Sequence, residues 1–320
     1  MAHRVVSTDE KTAEVLPESF TWQGFDADVR VVDGGSEAAL VTAASTAEAD
    51  AVVVDAGTPV GERLFTETPV RVVARAGVGV DNVDLEAASE YGIPVVHDPA
   101  YCVEEVATHA LSLLLATWRK LGPYDEAVRA GEWSHVPGVP TTRLSDATLG
   151  FVSFGTAAQR LAELVAGFDL ELLAYDPYVD DREARERGVE RVELESVFQR
   201  SDLLAVFAPL TRETRGLVDR TAFSQMKRSA VLVNVGRGGV VDSEALATAL
   251  DQGQIAGAGL DVLPEEPPEV LPSGHPNVVY TPHVAWYSEE AIRECANTVA
   301  TDVARVLTGG EPTYPVGSDW

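Results

Sequence analysis

The chain has 320 residues, 45% of them hydrophobic, with a mean hydropathy of zero, enough for two domains of ordinary size with full cores. Its 51 acidic residues against 24 basic ones give a formal charge of −27, a surface that repels polyanions and so excludes nucleic acid and anionic membrane as partners. No apolar run reaches the ~18 residues of a membrane span, no basic start leads into an apolar stretch, and Cys102 and Cys295 form neither a disulfide framework nor a metal-ligand spacing. The expected compartment is the cytoplasm, and no metal is expected. Only three of the basic residues are lysines (Lys11, Lys120 and Lys227), and the acids are dispersed along the chain. That pattern suits a halophilic cytosol, where the Debye length shrinks to about 3 Å at molar salt.

In chain order, β-rich runs at 4–7, 29–32, 51–54, 70–74 and 94–97 alternate with helical stretches such as 36–46 and 84–91, the latter with Asp84 as N-cap. Five strands interleaved with helices predict a small parallel α/β domain of flavodoxin-like type. A long apolar helix spans 103–120. Its face of Val106, Ala110, Leu113, Leu114 and Thr117 suits a core and a subunit interface equally. Residues 137–140 read as an exposed loop.

The stretch 149–176 organises the second half of the chain. An apolar strand at 149–154 turns at Gly155 into an amphipathic helix with Ala158, Leu161, Ala162 and Val165 on one face. A second strand at 170–175 ends in Asp176. This is a βαβ unit with an acid about 20 positions past its glycine turn, the layout that holds a dinucleotide. The glycine fingerprint departs from G-x-G-x-x-G at its first position, where Ser153 stands. Gly155 is kept, and Ala158 is a tolerated variant at the third. Strands at 203–207, 230–235, 257–260 and 278–280 come next, with helices at 195–200, 243–252 and 288–308. The layout predicts one α/β domain (1–100 and 288–320) interrupted by a dinucleotide-binding domain (101–287).

Three polar residues follow strand ends in the second half: Arg237, Glu266 and His283. Ligands of open α/β sheets bind at the carboxyl ends of strands, so one cleft could hold all three. An Arg offers a fixed positive fork to a carboxylate. A His beside a Glu is an acid–base pair. Singly, Arg237 could cap strand-end carbonyls, Glu266 could be one more surface acid and His283 a turn histidine. Together, downstream of a dinucleotide unit, they favour a catalytic set.

Several motifs in one order carry a resemblance over essentially the whole chain. They are the run from Arg75 to Asp84 (RAGVGVDNVD), the dinucleotide unit, Pro209-Leu210-Thr211, Asn234 to Gly239 (NVGRGG), Gly259-Leu260-Asp261 through Glu266-Pro267, and Pro282-His283. The sequence resembles the D-isomer-specific 2-hydroxyacid dehydrogenases. Its stretch from 282 to 289 is similar to the branch that includes the C-terminal-binding-protein corepressors. The resemblance implies a Rossmann-type doubly wound parallel sheet inserted into a flavodoxin-like substrate domain. It also implies reversible NAD(P)H-dependent reduction of a small 2-oxoacid to a D-2-hydroxyacid.

By the same resemblance His283 exchanges a proton with the keto oxygen, Glu266 keeps it protonated, and Arg237 binds the substrate carboxylate. The N–H groups of Val78 and Gly79, helped by Arg75, complete that carboxylate site, and Trp286 shapes the side-chain pocket. Cofactor binding falls to Ser153, Phe154, Gly155, Thr156 and Ala157 at the turn, to Asp176 and Pro177 after the second strand, and to Thr108. Ala208, Pro209, Thr214, Val235, Gly236 and Asp261 complete that set, with Asp261 on the nicotinamide carboxamide. Thr156 stands where the family often has a basic residue, and Phe207 where it often has His. Asp176 favours NAD, with NADP as the alternative; Arg182 is the nearest Arg after it.

A homodimer through the helices around 103–129 is expected by the same analogy. The rival function is an NAD-sensing corepressor-type protein with vestigial catalysis, against which stand the intact polar set and the acidic surface. Within the family, formate dehydrogenases carry Gln in place of Glu266, and phosphite dehydrogenases carry a Lys within 75–81. Phosphoglycerate dehydrogenases often add a C-terminal regulatory domain, whereas this sequence stops soon after its last helix.

Overall fold

A computed structural model describes residues 2–133 and 142–317; the loop expected at 137–140 lies outside the described residues. The chain divides into two units, Met1–Cys102 with Tyr287–Trp320, and Val103–Trp286. In the first, β1 (His3–Ser7), β2 (Ala27–Val31), β3 (Ala51–Val54), β4 (Val72–Arg75) and β5 (Val95–His97) alternate with helices Glu10–Trp22, Glu37–Ala47, Glu62–Glu67 and Leu85–Glu90. Asp84 caps the last of these, its side chain accepting from Ala87 N, so one orphan donor of the first turn is satisfied.

The second unit opens with helices Val103–Trp118 and Leu121–Arg129. Its strands are β6 (Thr148–Val152), β7 (Glu171–Tyr175), β8 (Glu190–Arg191), β9 (Leu203–Val206), β10 (Val231–Asn234), β11 (Gly257–Leu260) and β12 (Val278–Tyr280). Helix Thr156–Leu164 links β6 to β7. The chain then returns to the first unit with helix Glu289–Leu307 and β13 (Pro315–Val316).

Among the described residues the second unit's sheet has the order β12-β11-β10-β9-β6-β7-β8, every pair parallel. Strand order reverses between β6 and β9, which makes a crevice at their carboxyl ends. β6, β9 and β10 are buried along their whole length, as central strands covered on both faces must be. Phe151, Leu114 and Leu161 fill one face and Leu204, Phe223 and Leu246 the other. The face of helix Val103–Trp118 carrying Ala110, Leu113 and Leu114 packs into the first of these cores, with Val106 partly buried against it. That face is therefore core. No helix among the described residues is long and apolar enough to cross a membrane.

The first unit's sheet runs β13-β5-β4-β3-β1-β2. The five expected strands are parallel, and a sixth that the apolar pattern did not predict, β13, adds antiparallel to β5. Two residues, one of them a proline, carry no pattern. What places them is Asp302, buried in helix Glu289–Leu307, whose carboxylate accepts from Thr313 N and Tyr314 N, each at 2.8 Å. A second difference concerns β6, expected to reach residue 154 but ending at Val152. Ser153 takes a left-handed φ of 71°, which turns the chain out of the extended ladder.

Candidate active site

The turn after β6 is tied to the end of β7 by Asp176. Its Oδ2 accepts from Phe154 N at 2.8 Å and from the Ser153 hydroxyl at 3.2 Å, and its Oδ1 accepts from Tyr178 N at 2.8 Å. The carboxylate is buried, and a carboxylate has about four lone-pair sites, so it can hold the turn and still accept a ribose hydroxyl. Gly155 caps helix Thr156–Leu164 without a side-chain hydrogen bond, and a Cβ placed on it would meet nothing within 4 Å. An open helix N-terminus beneath free space fits a pyrophosphate. Thr156 is exposed and Ala157 half-buried at its first turn, with Pro177 exposed just past Asp176.

Across the switch point the loops after β9 and β10 close on each other. A Cβ on Gly236 would lie 2.6 Å from the Ala208 carbonyl oxygen, so only glycine fits there. Val235 N donates to Val206 O at 3.1 Å, and the Thr214 hydroxyl closes the next turn onto Pro209 O. Thr108 lies exposed on helix Val103–Trp118.

Arg237, Glu266 and His283 come from the loops after β10, β11 and β12, three neighbouring strands. Asn234, at the buried end of β10, builds the first loop: its Oδ1 accepts from Gly236 N at 3.1 Å and its Nδ2 donates to Arg237 O at 3.0 Å. Arg237 is half-buried, with Nη1 donating to Gly236 O at 3.0 Å. Glu266 accepts from Leu263 N at 2.9 Å through Oε1, and its Oε2 lies 2.6 Å from His283 Nδ1. Burial pushes the Glu266 carboxyl up, but the hydrogen bonds from His283 and Leu263 N, with the charges of His283 and Arg237, outweigh it and hold it below the usual carboxylate range. Since Glu266 is ionised, His283 Nδ1 carries the proton between them.

His283 has a left-handed φ of 52°. Trp286 Nε1 donates to its carbonyl at 2.7 Å, and its own N–H donates to Asp261 O at 2.8 Å. The Asp261 side chain is buried and accepts from Thr281 Oγ1 at 2.6 Å, Val284 N at 3.0 Å and Ala285 N at 2.9 Å. It thus grips the whole 281–285 turn.

Arg75, Val78 and Gly79 belong to the first unit. Arg75 is buried at the end of β4, with Nη1 donating to Ala76 O at 2.5 Å and Nε without a hydrogen-bond partner among the described residues. Its guanidinium lies where a Cβ on Gly77 would be, and Gly77 has φ 144°. Val78 O accepts from His97 Nδ1 at 2.7 Å. The polar pattern passed over Asn234, Thr281 and His109, whose Nε2 lies 2.9 Å from Thr281 Oγ1. An Asn at a strand end before a glycine-flanked Arg was the available signal for the first; the other two had none.

Residues 111–285 match the family described as D-isomer specific 2-hydroxyacid dehydrogenase, NAD binding domain. The chain belongs to this family. D-3-phosphoglycerate dehydrogenase of Mycobacterium bovis is 37% identical over 298 residues, covering 92% of this chain and 56% of its own length. The enzyme of that name from Methanocaldococcus jannaschii is 36% identical over 267 residues, 82% of this chain and 50% of its own. The chain spans about half the length of the curated relatives it matches. Among solved structures, a Thermus thermophilus protein superposes with a TM-score of 0.87 at 30% identity, covering 98% of this chain and 99% of that one. The apo structure of D-lactate dehydrogenase from Escherichia coli gives 0.83 at 29% identity, covering 99% and 100%. The fold is that of the family, a Rossmann-type NAD-binding domain with a second α/β domain.

Proposed function

We propose that the protein is an NAD-dependent dehydrogenase that interconverts a small 2-oxoacid and its D-2-hydroxyacid. The observation that carries this is the 2.6 Å pair of His283 and Glu266, supplied with Arg237 by three adjacent strand ends of an NAD-binding domain. NADH supplies the hydride when bound. Glu266 holds the Nδ1 proton and fixes the ring, which leaves Nε2 to deliver a proton to the keto oxygen. Arg237 binds the substrate carboxylate and polarises the adjacent carbonyl. Trp286 shapes the pocket for the substrate side chain.

The turn of Ser153 to Ala157 and the open helix N-terminus hold the pyrophosphate. Asp176 takes the ribose hydroxyls and disfavours the 2′-phosphate of NADP by charge. Asp261, besides holding the turn of His283, accepts from the nicotinamide carboxamide.

Steady-state oxidation of NADH and NADPH over a panel of 2-oxoacids, with and without a phosphate group, tests this reading. Turnover of at least one 2-oxoacid is expected, faster with NADH. In His283→Ala kcat should fall by about 10²–10⁴-fold, the usual worth of a positioned acid; unchanged turnover would overturn the assignment.

The assembly we propose is a homodimer. Helix Leu121–Arg129 buries none of its residues, and Leu121, Val128 and the nearby Trp133 are 57%, 48% and 89% exposed, more apolar surface than one segment usually leaves in water. Sedimentation should give twice the 34.1 kDa chain mass, and Leu121→Glu with Val128→Glu should return it to monomer. A monomeric wild type would reject the dimer.

A further inference from the structure

His109 sits on helix Val103–Trp118, 172 positions before Thr281. Its Nε2 is 2.9 Å from Thr281 Oγ1 and 3.5 Å from Asp261 Oδ1. The Thr281 hydroxyl gives its proton to Asp261 Oδ1 at 2.6 Å. A hydroxyl has one proton to give, so the proton in the contact with His109 belongs to Nε2. His109 is the donor that starts a chain of hydrogen bonds, each polarising the next: His109 to Thr281, Thr281 to Asp261.

At the end of that chain Asp261, its side chain 1% exposed, accepts from Val284 N and Ala285 N, and its carbonyl accepts from His283 N. The turn is held on both sides of a histidine in the left-handed region, a conformation that a residue with a side chain keeps only when its surroundings impose it.

We propose that His109 is a positioning residue for His283. By fixing the Thr281 hydroxyl on Asp261 it keeps the 281–285 turn in the one arrangement that seats Nδ1 on Glu266 and aims Nε2 consistently. The proposal rests on the acid–base role proposed above for His283. An apolar side chain at 109 frees the Thr281 hydroxyl to rotate away, and a buried carboxylate then loses a donor.

Four variants test this: His109→Leu, which removes the donor; His109→Gln, whose amide N–H reaches the place of Nε2; Thr281→Val; and the double variant His109→Leu with Thr281→Val. His109→Leu should lower kcat by about tenfold or more, as misplacement of a reacting group does, with KM for NADH little changed. His109→Gln should recover most of the loss. The double variant should be no worse than Thr281→Val, because both act through one chain.

A readout free of turnover is the low-field proton NMR line of His283 Nδ1–H against Glu266. It should be sharp in wild type and His109→Gln, and broadened or absent in His109→Leu. Wild type without turnover on any 2-oxoacid would count against the dehydrogenase reading, while the NMR line would still score the positioning role. An unchanged line with unchanged kcat in His109→Leu, losses that add in the double variant, or a His109→Gln as damaged as His109→Leu would each overturn the proposal.

Discussion

At Ser153 the chain puts a side chain where the dinucleotide turn calls for glycine. Its φ of 71° costs an L residue about 1–2 kcal/mol. The hydroxyl bond to Asp176 Oδ2 at 3.2 Å offsets part of this, with a typical net worth of about 0.5–1.5 kcal/mol. Two variants separate the terms. Ser153→Gly removes strain and bond together, so unfolding in urea should shift by less than about 1 kcal/mol. Ser153→Ala keeps the strain and loses the bond, so it should destabilise by about 1 kcal/mol. An alanine variant as stable as wild type would show that the hydroxyl contributes nothing.

Glu266 makes a pH prediction. Its carboxyl is held below the usual carboxylate range, so the stabilisation it gives is present above the unfolded value of about 4.3 and lost as pH falls through the lowered one. The His283–Glu266 pair therefore persists through neutral pH. For 2-oxoacid reduction the acid limb of kcat should lie below about 4.3 and should vanish in Glu266→Gln, which also lowers the plateau toward the ~10²-fold worth of acid catalysis. An acid limb near pH 6 in wild type would contradict this. The placement of Arg237, Glu266 and His283 after three neighbouring strands was legible in the sequence because each follows a recognisable strand end. The His109–Thr281 contact was not, because its partners share no local pattern and meet only once the sheet and helix have packed.

At the scale of elements, buried parallel strands announced themselves as apolar runs. Ala51–Val54 and Gly257–Leu260 fall where the pattern placed them, since covering both faces leaves no polar alternation to misread. Elements placed by tertiary bonds did not announce themselves. Helix Glu10–Trp22 carries Pro17 inside it, which breaks its local signal. β13 is two residues docked by Asp302. Arg305 lies 3.7 Å from the same carboxylate and its Nη1 bonds Thr313 Oγ1, so one acid and one guanidinium of a helix brace the edge beside its pairing with β5. Asp302→Ala removes the acceptor of two N–H groups, at about 1.5–3 kcal/mol for a bond to a charged group. Hydrogen exchange should show 313–316 deprotected and the amides of β3 and β4 unchanged. Equal protection of 313–316 in wild type and variant would mean that the strand pairing alone holds β13.

Across the whole molecule the lysines are telling. Lys227 Nζ pairs with Asp202 at 2.8 Å, Lys11 Nζ lies 4.4 Å over the Tyr287 ring, and Lys120 is buried, its pKa pulled down by burial. Surface cations are mostly arginines against acids, such as Arg200 between Glu171 and Glu190 at 2.5 and 2.7 Å. Such exposed pairs contribute about 0–1 kcal/mol each and cannot offset a formal charge of −27. Self-repulsion should therefore limit stability in dilute salt and fade as the Debye length falls from about 10 Å at 0.1 M to about 3 Å at 1 M. A gain of a few kcal/mol would raise Tm by roughly 5–10 °C in KCl. Salt also strengthens apolar burial in any protein, so a charge variant must separate the two causes. Glu14, Glu18, Glu90, Glu269 and Glu311 are all exposed. Changing these five to Gln should raise Tm at 0.1 M KCl and flatten its rise toward 2 M. If repulsion is not the limit, the variant will melt with the wild type at every salt concentration, and the salt dependence will belong to the apolar core.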